Sequence, residues 1–266
     1  MTSPRSLVKL QIEGISRVFP GVRGAAPIRA LEPITLTVAE NDFITILGPS
    51  GCGKSTLLRI VAGLDRPTAG RVLLDGREVR GPGADRGMVF QSYTLFPWLT
   101  VAENIAFGLR ERGVPIGERR AIVAEYIAKV DLEGFENHYP KQLSGGMQQR
   151  TAIARALAND PEMLLLDEPF GALDNQTRAL MQELLLGIWE RERKTVLFVT
   201  HDIEEAIFLA SRVVVMTARP GRIKADVAID LPHPRHYRMK TSPEFSALKA
   251  QLTEEIRAEA VLAAAH

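Results

Sequence analysis

A single cysteine, few aromatics and almost no net charge define this 266-residue chain by what it does without. Cys52 alone cannot close an internal disulfide, which fits a reducing compartment. Lys plus Arg total 33 against 32 for Asp plus Glu, a formal charge of +1. The basic excess of a dedicated nucleic-acid binder is therefore missing, although clustering on one face would leave room for a patch. No apolar run approaches the roughly 20 residues that a membrane span needs. The richest runs, residues 163–166 and 213–216, are short and read as buried strands. Residues 1–9 hold no apolar segment of signal-peptide type. The chain is not expected to cross a membrane, although it is free to dock on a protein that does. No internal repeat or low-complexity segment is present.

What remains is an ordinary globular composition, 45% apolar and 24% charged, long enough for one large α/β domain or a core with a smaller subdomain. Residues 9–15 and 34–38 alternate apolar and polar as half-buried strands do. An apolar run at 43–47 ends at Gly48, and a helical stretch follows over 54–62. Residues 71–75 and 78–80 read as a hairpin around Gly76, and 87–91 as a further strand. From Ser92 the strand-like runs stop, and helical periodicity governs 118–130 and 146–158. The α/β rhythm returns with strands at 163–166, 196–200 and 212–216 and helices at 177–191 and 203–209. Buried strands alternating with amphipathic helices predict a mostly parallel sheet covered on both faces. The partition expected is an α/β core over 1–91 and 160–230, with an antiparallel β part, a helical subdomain over 92–159, and a helical tail over 231–266. In the tail, Ser242, Pro243 and Glu244 start a helix with Phe245, Leu248, Leu252 and Ile256 on one face. That stripe is expected to pack against the body, with a dimer contact as the other reading.

Gly48, Pro49, Ser50, Gly51, Cys52, Gly53, Lys54 and Ser55 meet the pattern G-x-x-x-x-G-K-[ST] between a strand and a helix. Glycines let successive N–H groups turn toward one anion, and the helix adds its positive end. Lys54 would reach the β- and γ-phosphates, the Ser55 hydroxyl would ligate Mg²⁺, and Thr56 would contact the α-phosphate. Asp167 and Glu168 end an apolar strand, where ligands bind in open α/β folds. Alone, such a pair is most often a helix N-cap and a solvated acid. Beside a phosphate loop, Asp167 fits Mg²⁺ through its water shell, and Glu168 the general base.

Residues 143–150, LSGGMQQR, lie between these motifs. They resemble the signature of ATP-binding cassette (ABC) proteins, and the whole set from Phe19 to His201 follows the order of that family. The resemblance implies a P-loop NTPase core with an inserted helical subdomain, acting as an ATPase. Ser144, Gly145, Gly146 and Gln148 would act in trans on ATP held by a second subunit, while Ser144 is also readable as a plain helix N-cap. Met147 stands where relatives often carry Gln. By the same resemblance His201 is the switch histidine near the γ-phosphate, Gln91 reaches the metal and the attacking water, and Asp174 lines the dimer interface. Phe19 would stack on adenine, with a core aromatic as the alternative.

Three stretches, GPGADRG (81–87), LFPWLTVAEN (95–104) and ARPGR (218–222), are similar to the nitrate/sulfonate/taurine group of bacterial importers. No long regulatory domain of the maltose type is expected after the core, which also fits that group. The resemblance implies a subunit working on the cytoplasmic face of the inner membrane as a homodimer. It would serve a transmembrane permease and, through it, an external solute-binding protein, with no nucleic acid involved. Phe96, Pro97 and Trp98 would belong to the permease-docking groove or to simple local packing. The competing readings are a soluble ABC ATPase acting on nucleic acid or ribosomes, and an importer of another solute class.

Overall fold

The structure, a computed structural model, describes residues 7–21 and 26–264. The chain opens with two long strands, β1 (Val8–Phe19) and β2 (Ile28–Ala39), then β3 (Phe43–Leu47) and helix α1 (Lys54–Val61). A hairpin of β4 (Ala69–Leu74) and β5 (Arg77–Glu78) precedes β6 (Arg86–Val89). Three helices follow, α2 (Val101–Glu111), α3 (Ile116–Lys129) and α4 (Gly145–Leu157). Then come β7 (Met163–Asp167), α5 (Asn175–Glu192), β8 (Thr195–Thr200), α6 (Ile203–Leu209) and β9 (Arg212–Met216). The strand β10 (Ile223–Ala228) and the tail helix α7 (Pro243–Ala264) close the chain. Residues 22–25, between β1 and β2, lie outside the described residues.

Two compact units divide the chain, Met1–Gly83 with Lys194–His266, and Ala84–Arg193. The helical segment expected at 92–159 falls inside the second, and the tail at 231–266 inside the first.

In the first unit, β1 pairs antiparallel with β2 and β4, and β4 with β5. A second group of strands centres on β3, which runs parallel to both β8 and β9, while β10 joins β9 antiparallel. All residues of β3 and β8 are buried, as expected for parallel strands covered on both faces. Helix α6 packs on β3 and β8, and α7 packs on α6 and β9. Phe245 and Leu252 are fully buried on α7, and the Ser242 hydroxyl accepts from Phe245 N at 3.2 Å to start the helix. The tail stripe therefore packs on its own chain.

In the second unit β6 and β7 pair in parallel. Helix α4 is the hub: it contacts α2, α3, α5 and β6. Thr100 caps α2 in a reciprocal box with Glu103. Asn104, fully buried, donates to the carbonyls of Phe96, Leu99 and Thr100 and accepts from Phe96 N at 2.9 Å. This fixes the segment between Gln91 and α2.

Candidate nucleotide site

In the first unit β3 ends at Leu47, and the glycine loop leads directly into α1. Gly51 and Gly53 hold left-handed backbone angles, φ 77° and 106°, which glycine adopts at no steric cost. A Cβ on Gly53 would lie 2.6 Å from Leu31 Cδ2, and one on Gly48 3.0 Å from Cys52 Sγ. Lys54 is 4% exposed, and its Nζ folds back to donate to Gly48 O at 2.8 Å and Pro49 O at 2.9 Å. Its charge thus lies with the backbone at the N-terminus of α1. No acidic residue stands in the first turn of α1, and Gly53 offers no side-chain cap. The loop suits a polyphosphate, since it combines a positive helix end, an ammonium and backbone unshielded by side chains. Ser55 and Thr56, half-buried, occupy the same first turn.

His201 follows β8 directly and is exposed. Leu47 and Thr200 are register partners of the parallel β3 and β8. The phosphate loop and His201 therefore leave the same edge of the strands. Asp202 caps α6 by accepting from Glu205 N at 3.0 Å. Phe19 ends β1, half-buried, with the Arg17 guanidinium 4.5 Å above its ring and Ile28 as its strand partner. Those neighbours are not phosphate-loop residues, so the adenine assignment rests on the resemblance.

The second unit repeats this edge logic. Val89 and Leu166 are register partners of β6 and β7, so Gln91 and Glu168, each two residues further on, leave the same edge. Gln91 lies in a turn past the strand that was expected to contain it. A Cβ on Gly171 would meet both Glu168 O (3.5 Å) and Gln91 Nε2 (3.8 Å). Asp167 ends β7 at 5% exposure. Glu168 has φ 43°, a left-handed value that costs a non-glycine residue about 1–2 kcal/mol.

Ser144, exposed, caps α4 by accepting from Met147 N at 3.3 Å. Gln148 Nε2 donates to Leu143 O at 3.2 Å. No acid occupies the first turn of α4 either. Gly146 is required by packing, because a Cβ would stand 2.7 Å from the Thr177 methyl, and one on Gly145 3.1 Å from the Tyr93 hydroxyl. Asp174 caps α5, accepting from Gln176 N and Thr177 N at 3.0 Å each and from the Thr177 hydroxyl at 2.6 Å. The Thr177 hydroxyl first, and the amides with it, hold its carboxyl below the usual range. The signature residues and Asp174 therefore meet through Thr177, a contact with no sequence signal of its own.

Arg155, outside the sequence motifs, is a further functional candidate. From α4 it donates to Thr94 O at 2.8 Å and to Tyr93 O at 3.2 Å. Burial lowers its pKa, and burial raises that of Tyr93. Among the described residues no helix is long and apolar enough to cross a membrane.

A glycine loop joining a parallel strand to a helix, with an Asp-Glu pair ending another parallel strand, defines a P-loop nucleotide-binding protein. The ABC transporter family profile matches residues 31–171, and the chain belongs to that family. It is 57% identical over 257 residues to an uncharacterised ABC transporter ATP-binding protein of Methanocaldococcus jannaschii, covering 96% of this chain and 94% of that protein. It is 48% identical to a nitrate import ATP-binding protein of Synechocystis (94% and 98% covered). A Bacillus cereus aliphatic sulfonates import ATP-binding protein is 47% identical (92% and 95%). Among solved structures, a dimeric ATP-binding cassette in a post-hydrolysis state, bound to ADP and Pi, superposes with TM-score 0.74 at 36% identity. It covers 84% of this chain and 100% of that one.

Proposed function

We propose that this chain is the ATP-hydrolysing subunit of an importer for a small anion such as nitrate, a sulfonate or taurine. It would work as a homodimer on the cytoplasmic face of the inner membrane, against a permease fed by an external solute-binding protein. The observation that carries the reading is the exposed N-terminus of α4. Ser144 and Gly146 form a second anion-suited helix end, with no acid in the first turn of α4. One ATP needs one phosphate loop, so a second phosphate-gripping end is explained by ATP held on a partner subunit.

Lys54 and the loop amides bind the phosphates, and Ser144 and Gly146 close on the γ-phosphate of the partner's ATP. Glu168 takes a proton from the attacking water, while His201 and Gln91 orient it. The hydroxyl of Ser55, the carboxylate of Asp167 and the amide oxygen of Gln91 are hard oxygen donors of the kind Mg²⁺ prefers, with water completing the shell. Bound there, Mg²⁺ would neutralise developing charge on the phosphates. ATP's tighter binding to the closed dimer would drive closure, and hydrolysis would release it.

The test is ATP turnover by the purified subunit–permease complex with its binding protein, challenged in turn with nitrate, taurine and alkanesulfonates. Stimulation of several-fold by one of these anions is expected. Stimulation only by a solute of another class would overturn the anion assignment, and copurification with nucleic acid in place of a permease would overturn the import reading.

A further inference from the structure

The phosphate loop is held from behind by a second loop that its chemistry does not account for. Residues 217–222, between β9 and β10, carry the ARPGR stretch. Arg219 donates to Gly51 O from both Nε (3.2 Å) and Nη2 (3.1 Å). Its neighbour in the loop, Gly221, sits so close that a Cβ would stand 2.1 Å from Cys52 O. Two consecutive carbonyls of the phosphate loop are thus faced by this one segment.

The peptide plane carries that contact into the hydrogen bonding of the loop itself. A trans peptide sets C=O and the next N–H in opposite directions. Drawing Gly51 O toward Arg219 therefore points the Cys52 N–H the other way, across the phosphate loop, where it donates to Pro49 O at 3.4 Å. Gly51 has φ 77°, a region in which glycine has many alternatives, so an external grip is what selects one orientation.

The grip is itself anchored. Gly221 N donates to Ala30 O and Gly221 O accepts from Glu32 N, both at 2.9 Å. The Thr217 hydroxyl accepts from Arg222 N at 3.1 Å and reaches Ala218 O at 3.0 Å. From the tail helix α7, the buried Glu259 accepts from Ala218 N at 3.0 Å and pairs with Lys224 at 3.2 Å. The path from α7 to the phosphate loop is continuous: Glu259, Ala218, Arg219, Gly51.

We infer that Arg219 is a positioning residue for the phosphate loop, and that α7 sets it through Glu259. The inference rests on the nucleotide-binding reading of residues 48–55, but part of its test does not. In the full-length chain without nucleotide, hydrogen exchange of the amides at 50–53 reports the grip directly. Arg219→Ala and Glu259→Ala are each expected to speed exchange there by about three- to tenfold while the thermal midpoint moves little. ADP titrated by calorimetry should then bind three- to tenfold more weakly in each, about 0.6–1.4 kcal/mol. The double variant should be no worse than the poorer single, because the two residues act in series. Glu259→Gln keeps an acceptor for Ala218 N and should restore near-normal exchange and affinity. Arg219→Lys, a single-point donor, should restore only part. Unchanged exchange at 50–53 in a folded Arg219→Ala chain would overturn the inference, as would additive losses in the double variant. Failure of the unaltered chain to bind ADP would instead strike the nucleotide reading, with the exchange result still deciding the grip.

Discussion

Arg155 of α4 donates to the carbonyl of Thr94 at 2.8 Å, binding the signature helix to the loop that begins at Gln91. Tyr93 and Thr94 both hold left-handed φ values, 39° and 49°, and Arg155 also lies over the Phe96 ring at 5.5 Å. Phe96 stacks on Phe107 at 4.3 Å, while Trp98 next door is 69% exposed. A displacement of α4 therefore carries the 93–98 segment with it. Arg155→Met keeps the apolar bulk and removes the donors. It should leave basal ATP hydrolysis within about threefold and cut permease-dependent stimulation about tenfold, within the usual span of coupling energies. Comparison of the free subunit with the complex measures both, and intact stimulation would refute the linkage.

Glu168 combines a left-handed backbone, φ 43°, with the end of a strand where the proposed mechanism calls for a base. Glu168→Gln preserves shape and hydrogen-bonding reach but cannot take a proton. Turnover should fall by at least about a hundredfold, in keeping with general-base contributions, while ATP stays bound and holds a dimer. Size-exclusion chromatography with ATP shows the dimer. Normal turnover would remove Glu168 from its role.

Much of the fold is legible because local chemistry agrees with tertiary placement. Helix α6 and strand β9 match the expected 203–209 and 212–216 residue for residue, since an Asp cap and a run of three valines leave little choice. Strands β1 and β2 run well beyond the expected 9–15 and 34–38, because Arg17 and Glu32 sit on half-buried positions that blur the apolar alternation. Strand β10 was missed for the same reason: none of its residues is fully buried. Helix α2 has a visible Thr100–Glu103 box, but it follows an aromatic stretch without periodicity. The site divides similarly. Glycine loops and acidic strand ends announce themselves because their backbone geometry admits few residues. Arg155 and Arg219 do not, because nothing near an arginine tells which carbonyl 61 or 168 positions away it will reach.

The proposed sharing of sites between subunits is open to a mixing experiment. Ser144→Arg blocks the signature, and Lys54→Ala disables the phosphate loop, so each homodimer should be inactive. Mixed, they can form a dimer in which one site pairs an intact loop with an intact signature. About a quarter of unaltered activity is expected, since random pairing makes half the dimers mixed and each has one working site of two. Heterodimers without activity would exclude completion in trans.

The Asp174 carboxyl is held below its usual range by the Thr177 hydroxyl and the α5 amides. A folded-state pKa below the unfolded one stabilises at pH values above the unfolded pKa, and that contribution disappears as pH falls through the folded value. Asp174→Asn keeps a capping oxygen without the charge. The stability difference between the two chains should be constant from pH 7 to about pH 5 and close below about pH 4. Being fully exposed, it should also shrink with added salt. Urea midpoints across that range measure it, and a difference that widened toward acid would contradict the assignment.

Arg235 is 5% exposed and serves the end of α6. Its Nη1 donates to Ile207 O, Phe208 O and Ala210 O at 3.0, 3.1 and 2.8 Å, and its Nη2 to Leu231 O at 3.2 Å. The last carbonyls of a helix have no partner within it and carry its negative end, so a cation there satisfies both needs. Helix α6 begins two residues after His201, and its seven residues leave it little stability of its own. Arg235→Met fills similar volume but strands several buried acceptors, each costing about 1–3 kcal/mol. A total loss of about 3 kcal/mol is expected, lowering the thermal midpoint by roughly 6–12 °C for a chain of this size. Arg235→Lys, with three donors on one centre, should recover part of that loss. A methionine variant as stable as the unaltered chain would show that these carbonyls find other partners.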